Sequence, residues 1–309
     1  MSIRIGIGSD MAIPPSPSSY WQWVELCDEV GIDSIWHSDQ LVGKGVEPIA
    51  MLAALAARTQ RLRIGTNALV APYRDPLVVA KQFATIDFLA PGRLLPVFGV
   101  GHALDPYWAA TGHPPAQRGR RANEAITLIR ALLEQEQVSF QGEHFRYEGP
   151  GVSPRPAAPL PLWIGGDSEA AIQRTAAMGN GWLGGITSPA RAGEVVAGIK
   201  AALVKTGRSI DADHYGVSLP LRIGTAGDPA ILAAQQQLRT RFKMTDDTPI
   251  ADLFATGSAE QIIALLRRFI AAGISKFIMV PVAHDQADLL EQTRLLATEI
   301  LPVIEGHAG

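Results

Sequence analysis

The sequence predicts an α/β protein of the (β/α)8 barrel type, and three observations carry that reading. Apolar, strand-length runs begin near Ile3, Ile32, Ile64 and Leu94. Their spacing is about 30 residues, the size of one strand–helix unit. Each run is followed by a segment of helical period, over residues 20–30, 48–58, 76–89 and 117–134. The pattern then pauses and resumes, with strand signals at 160–164, 182–185, 217–224 and 277–282. Helical stretches follow these at 169–178, 190–205, 229–242 and 286–304, with an extra one at 259–272.

Four strand–helix units in succession argue for a parallel sheet. The pause holds VSFQGEHFRY over 138–147, which reads as a small hairpin turning near Gly142, and a Pro-rich connector over 149–161. No linker is long enough to divide the chain. A single domain over 1–309, a barrel with an insertion after the fourth unit, fits this order. A doubly wound open sheet is the competing arrangement, and eight units favour closure.

Composition narrows the classes of function. At 309 residues the chain is long enough for a large core. A net charge of −3 with 18% charged residues excludes a strongly basic surface, so neither nucleic acid nor an anionic membrane is an expected partner. The single cysteine, Cys27, excludes an internal disulfide framework. No stretch of 18 apolar residues occurs, and the chain begins directly on the strand-like IRIGIG. The expectation is a soluble cytoplasmic protein acting on a small molecule.

In a barrel the chemistry sits where strands end and loops begin. After the second strand stand Trp36, His37, Ser38, Asp39 and Gln40. They read either as a site or as core filling by Trp36 with Asp39 capping a turn. After the third come Thr66, Asn67 and Ala68, small and polar enough for a planar ligand to rest on, or simply a bulge beside Gly65. Pro72 and Pro76 break the chain before the next helix. After the fourth come Gly99-Val100-Gly101-His102. Here the glycines permit close backbone approach, and His102 reads as a ligand contact or a structural histidine.

After the fifth strand, Gly165-Gly166-Asp167-Ser168 opens a helix. It is a plain strand-to-helix turn or an anion site, because backbone N–H groups at a helix start favour phosphate. No histidine spacing suits a metal, and no GxSxG or GxGxxG occurs, so metal, serine-hydrolase and Rossmann nicotinamide sites are not expected. Arg118, Arg120 and Arg121 at a helix start read as solvated surface, with a partner subunit or an acidic cofactor tail as the alternatives.

The chain resembles the luciferase-like monooxygenase superfamily, particularly its deazaflavin (coenzyme F420)-dependent oxidoreductases. The likeness rests on residues 31–36 with Asp39, on 52–65, on Tyr73-Arg74-Asp75-Pro76 through Lys81, and on 89–93, 119–124, 140–149, 161–166 and 179–182. The resemblance implies a barrel holding a flavin or deazaflavin across its C-terminal face. It matches Gly165, Gly166, Asp167 and Ser168 to the turn that holds the cofactor phosphate. Asn67-Ala68 match a third-strand bulge with a non-proline cis peptide, and Asp39 matches a cofactor-facing acid. A homodimer is the family's habit.

Departures bear on mechanism. Where deazaflavin members have Asp-His, this chain has Asp39-Gln40, and the family's longer glycine stretch with a following Glu is shortened to Gly99–His102. Gln40 can orient by hydrogen bonding but cannot exchange a proton, so acid–base work passes to His102, His37 or water. The resemblance therefore implies hydride transfer between coenzyme F420 and a small organic substrate. His102 handles the proton, Trp36 and Asn67 form walls, Asp39 and Gln40 orient, Gly101 lies under the cofactor, and Phe98 and Trp108 shape the substrate pocket. Two alternatives stand beside it: an FMN-dependent monooxygenase using reduced flavin and oxygen, and a cofactor-binding protein without catalysis.

Overall fold

The computed structural model describes residues 2–9, 14–42, 45–225 and 227–305. The fold is α/β on parallel strands, consistent with a TIM-barrel-like arrangement. It divides into two compact units, one of residues 1–36 with 183–309 and one of residues 37–182.

In the first unit, strand Arg4–Gly8 pairs in parallel with Ser34–His37 on one side and Lys276–Pro281 on the other. Lys276–Pro281 also pairs with Tyr215–Ile223. A short strand not foreseen from the sequence, Ala255–Gly257, adds to the Tyr215–Ile223 strand. It is too short to show a period. Every residue of Tyr215–Ile223 and Lys276–Pro281 is buried, as expected of parallel strands covered on both faces.

In the second unit, Arg63–Thr66 pairs with Leu94–Leu95, and Leu69–Val70 pairs with Val97–Gly99, which pairs with Trp163–Gly165. The register changes between the two halves: Ile64 faces Leu94, 30 positions on, and Leu69 faces Phe98, 29 positions on. One extra residue is thus accommodated at Asn67–Ala68, whose peptide is cis. This is the bulge expected there. Pro96 interrupts the partner strand, and the Thr66 hydroxyl spans the gap, donating to the Val97 carbonyl at 2.8 Å and accepting its N–H at 2.8 Å. The antiparallel hairpin Gln137–Gln141 with Arg146–Pro150 stands where the sequence pauses.

Helix starts are written in a repeated local code. Helices Pro17–Glu29, Pro48–Arg58, Pro76–Leu89, Pro189–Thr206 and Pro229–Arg241 each begin on proline after a capping side chain. Proline lacks the N–H that a first helical residue leaves unbonded, and the cap satisfies the next ones. The expected helix 286–304 is interrupted: an α segment Gln286–Leu295 passes into a π stretch Leu296–Ile300 and then Leu301–Glu305.

Candidate functional site

Three adjacent parallel strands of the second unit, Leu69–Val70, Val97–Gly99 and Trp163–Gly165, end side by side. Their C-terminal ends gather most of the residues singled out in the sequence.

At the first end, the Asn67 N–H donates to the His37 carbonyl at 2.8 Å, and the Ser38 hydroxyl donates to the Asn67 carbonyl at 2.8 Å. The bulged peptide is therefore held from both sides. A Cβ placed on Gly99 would lie 3.5 Å from the Ala68 methyl group, so the fourth strand's end lies directly beside the bulge.

Asp39 is placed next to it, with its side chain 1% exposed. Its carboxylate accepts the Val70 N–H at 2.8 Å and both terminal nitrogens of Arg74, one at 2.9 Å. Arg74 reaches Glu47 as well, at 3.0 Å. Burial disfavours the guanidinium charge, but Asp39 and Glu47 outweigh it and hold Arg74 above its usual pKa. The acid expected to face a cofactor is thus engaged in a two-pronged clamp that fixes the loop after the third strand. Gln40 lies outside this clamp, packed so that a Cβ on Gly45 would come within 3.3 Å of its own.

At the second end, Gly101 has φ +71, and a Cβ there would lie 3.0 Å from Val70, 3.1 Å from the Tyr73 hydroxyl and 3.2 Å from Trp108. Packing within the unit already demands glycine at Gly101, so the need for it is independent of any cofactor. His102 is exposed; its N–H donates to Asp105 at 2.8 Å, and its carbonyl accepts the Trp108 indole N–H at 2.9 Å. Its Nδ1 accepts the Leu104 N–H at 3.3 Å. That bond assigns the neutral ring's proton to Nε2. Asp105 also receives the Tyr73 hydroxyl at 2.8 Å; burial first, and then this bond, push the Tyr73 phenol well above its ordinary value.

At the third end, Gly165 closes the strand and Gly166 takes φ +104, a conformation suited to glycine. Its carbonyl accepts the Trp182 indole N–H at 2.7 Å. Only the Ala171 methyl group would come within 4 Å of a Cβ at Gly166, at 3.4 Å, and Gly166, Asp167 and Ser168 are all exposed. Ser168 caps helix Glu169–Met178, accepting the Ala171 N–H at 3.3 Å. The turn is therefore a capped strand-to-helix turn and also an open one. Its accessible glycine and first-turn N–H groups fit an anionic group such as a cofactor phosphate.

Several sequence expectations are corrected by burial. Trp36 belongs to the first unit, 0% exposed, with its N–H on the Ser34 hydroxyl at 2.8 Å and Lys276 5.7 Å from the ring centroid. It is core filling and not an open wall. Phe98 likewise is buried and packs against Phe83, 5.9 Å between centroids. Trp108 is buried against Tyr73, 4.6 Å between centroids. His37 is fully buried, and desolvation lowers its pKa to about 4, so the ring stays neutral at pH 7.

Sequence reasoning missed Ser38, Arg74, Tyr73 and Asp105 as partners. Ser38 and Arg74 bond to residues about thirty positions away, and no local pattern marks such pairs. Side chains near enough to share a cation also occur, as in Glu124, Glu143 and His144. There the Glu124 carboxylate already accepts the N–H groups of residues 143, 144 and 145 and so ties the hairpin to helix Arg118–Glu134. A cleft of about 490 Å³ in the first unit, beside helices Pro229–Arg241 and Ala259–Ala271, offers only the Arg268–Asp252 ion pair as charged chemistry.

An open glycine turn and an exposed histidine thus stand on neighbouring strand ends of a parallel α/β fold, and the relatives place the chain among enzymes of the oxidoreductase class. A model of the luciferase-like monooxygenase family matches residues 2–239, and the chain belongs to that family. The F420-dependent glucose-6-phosphate dehydrogenase of Amycolatopsis mediterranei is 24% identical, over 93% of this chain and 94% of its own. Among solved structures, an F420-dependent secondary alcohol dehydrogenase in complex with an F420–acetone adduct superposes with a TM-score of 0.84. It has 19% identity and covers 98% of this chain and 99% of its own. The oxygenating constituent of 3,6-diketocamphane monooxygenase of Pseudomonas putida, in complex with FMN, gives 0.81 at 16% identity, covering 98% and 99%. These two structures share the fold.

Proposed function

We propose that the chain is a coenzyme F420-dependent oxidoreductase that moves hydride between the cofactor and a small organic substrate. The observation that carries this reading is the likeness, over nearly the whole of both chains, to F420-dependent glucose-6-phosphate dehydrogenase. The strand-end geometry agrees with it. When bound, the deazaflavin supplies or accepts the hydride. The chain's own part is to bind, to orient and to manage one proton. The N–H groups around Gly166 and the start of helix Glu169–Met178 take the cofactor phosphate. The Asn67–Ala68 bulge, held by Ser38 and the His37 carbonyl, sets the surface on which the ring rests. Asp39 acts through Arg74 to fix the loop behind it, and Gln40 orients by hydrogen bonding. The Nε2 edge of His102 is the group that exchanges a proton with the substrate, since Nδ1 is occupied by Leu104. We read the scaffold as one (β/α)8 barrel domain over 1–309, the hairpin being its insertion, working as a homodimer in the cytoplasm.

The test is a titration of purified protein with oxidised F420, followed by a panel of secondary alcohols, aldehydes and sugar phosphates. Loss of the oxidised deazaflavin absorbance upon substrate addition is the expected result. Oxygen consumption with reduced FMN and none of this bleaching would replace the reading by a monooxygenase. Tight F420 binding with no turnover across the panel would leave a binding protein.

A further inference from the structure

Helix Glu169–Met178, whose start is the phosphate turn, carries a buried cation with no counter-ion. Arg174 is 7% exposed. Its Nε donates to the Asn123 side-chain carbonyl at 2.5 Å and one terminal nitrogen donates to the Gly119 carbonyl at 3.4 Å. Both acceptors are neutral and lie on the first turns of helix Arg118–Glu134. Burial first, and then the positive charge of Arg118, lower its pKa. Arg118 opens that same helix, and its own Nε is buried without a hydrogen-bond partner, while its NH1 holds the Pro115 carbonyl at 3.1 Å. Among the described residues neither arginine forms an ion pair. A guanidinium has five donors, and these two guanidinium groups use only part of theirs.

A desolvated cation costs free energy unless it is paired, and a second cation beside it adds repulsion. The buried Arg174, in the second turn of its helix, and the half-buried Arg118, at the start of the other, are thus a pair of cations that an anion would complete. Arg174 is five residues past the first residue of its helix, about 7.5 Å along the axis. Side chains on a helix lean toward its N-terminus, and so toward the turn at Gly166.

We propose that Arg118 and Arg174 form an anion subsite beside the phosphate turn, taking a carboxylate or second phosphate on the tail of the cofactor. This rests on the F420 reading for the source of the anion. Coenzyme F420 continues beyond its phosphate into a chain of glutamyl carboxylates, whereas FMN ends at the phosphate. The subsite thus makes the tail, and not the ring, the part by which this chain tells the two apart.

The experiment compares wild type with R118Q and R174Q in two assays. Fluorescence titration with F420, and with the deazaflavin fragment lacking phosphate and tail, reads cofactor affinity. Each variant is expected to bind F420 at least tenfold more weakly, with a shallower dependence on salt, and to bind the tail-less fragment as wild type does. Thermal shift with glutamyl-glutamate and with inorganic phosphate reads the anion site without the ring. Wild type is expected to be stabilised by both at millimolar concentration, and the variants by neither. Stabilisation by phosphate alone assigns the subsite to a phosphate source and overturns the carboxylate assignment. F420 affinities within twofold of wild type in both variants overturn the subsite itself. Wild type that binds anions but not F420 leaves the subsite standing and overturns the cofactor reading.

Discussion

The two units handle buried charge differently. In residues 1–36 with 183–305, the buried cations end on carboxylates: Lys276 on Asp33, and Arg222 on Asp288 at 2.5 Å. Each of these cations meets a carboxylate, although the Arg222 Nε is buried without a hydrogen-bond partner, and the strands that carry them are buried throughout. In residues 37–182 one ion pair is equally closed, that of Asp39 with Arg74, but Arg174 ends on an amide and a carbonyl, and the His102 ring is exposed. A closed pair serves packing and register. A cation without a carboxylate, and a ring with one nitrogen held and one free, are unfinished arrangements that a ligand can complete. The contrast is the physical ground on which we place the proposed site in the second unit.

The contrast can be broken most forcefully at its closed pair. Arg74→Ala leaves the Asp39 carboxylate buried with only the Val70 N–H, and such half-removed pairs cost about 3–5 kcal/mol. Urea unfolding measures it; a loss below about 1 kcal/mol would mean that solvent reaches Asp39 and that the clamp is not closed.

His37 supplies the next largest effect. Burial lowers its pKa from 6.5 to about 4, so below pH 6.5 the unfolded chain takes up a proton that the native state refuses. The stabilisation is complete at pH 7 and is lost as pH falls through this window, by about 3 kcal/mol at pH 4. Urea midpoints across pH 4–7 for wild type and His37→Asn test this. The variant's profile should be flatter by that amount, and parallel profiles would be evidence against a neutral buried ring.

His102→Asn addresses the unfinished side. It keeps a side-chain acceptor for the Leu104 N–H but cannot carry the proton, and turnover should fall at least about a hundredfold while F420 affinity is unchanged. Unchanged turnover would pass the proton to water. The smallest effect is at Gly166→Gln, where φ +104 and the loss of open backbone should weaken F420 binding about tenfold, or about 1.4 kcal/mol. Equal affinity by fluorescence titration would remove the phosphate assignment.

Much of the framework was legible along the chain. The helices Pro48–Arg58, Pro76–Leu89 and Glu169–Met178 begin and end where pattern and caps place them, because proline, Asp75 and Ser168 act within three residues of themselves. The bulge at Asn67–Ala68 was implied by the family resemblance, whereas the small and polar residues by themselves left a ligand surface and a bulge beside Gly65 as equal readings. The strand Ala255–Gly257 and the short helix Tyr107–Thr111 were not, being too brief for a period to develop. The site divides in the same way. Gly165–Ser168 and His102 stand out by type and position. Trp36 and Phe98 also stand out and prove to be core, since an aromatic at a strand end looks alike in sequence whether it faces inward or outward.

The sequence by itself determined the parallel α/β class, the order of its units and the strand ends that matter, because local sterics, caps and hydrophobic period act over a few residues. Tertiary structure alone decided which polar groups were already spent. Asp39 is consumed by Arg74 at 35 positions' remove, Asn67 is held by Ser38 at 29, and Arg174 meets Asn123 at 51 and finds no carboxylate. A charge's partner is set by distance in space, and that quantity exists only once the chain has folded.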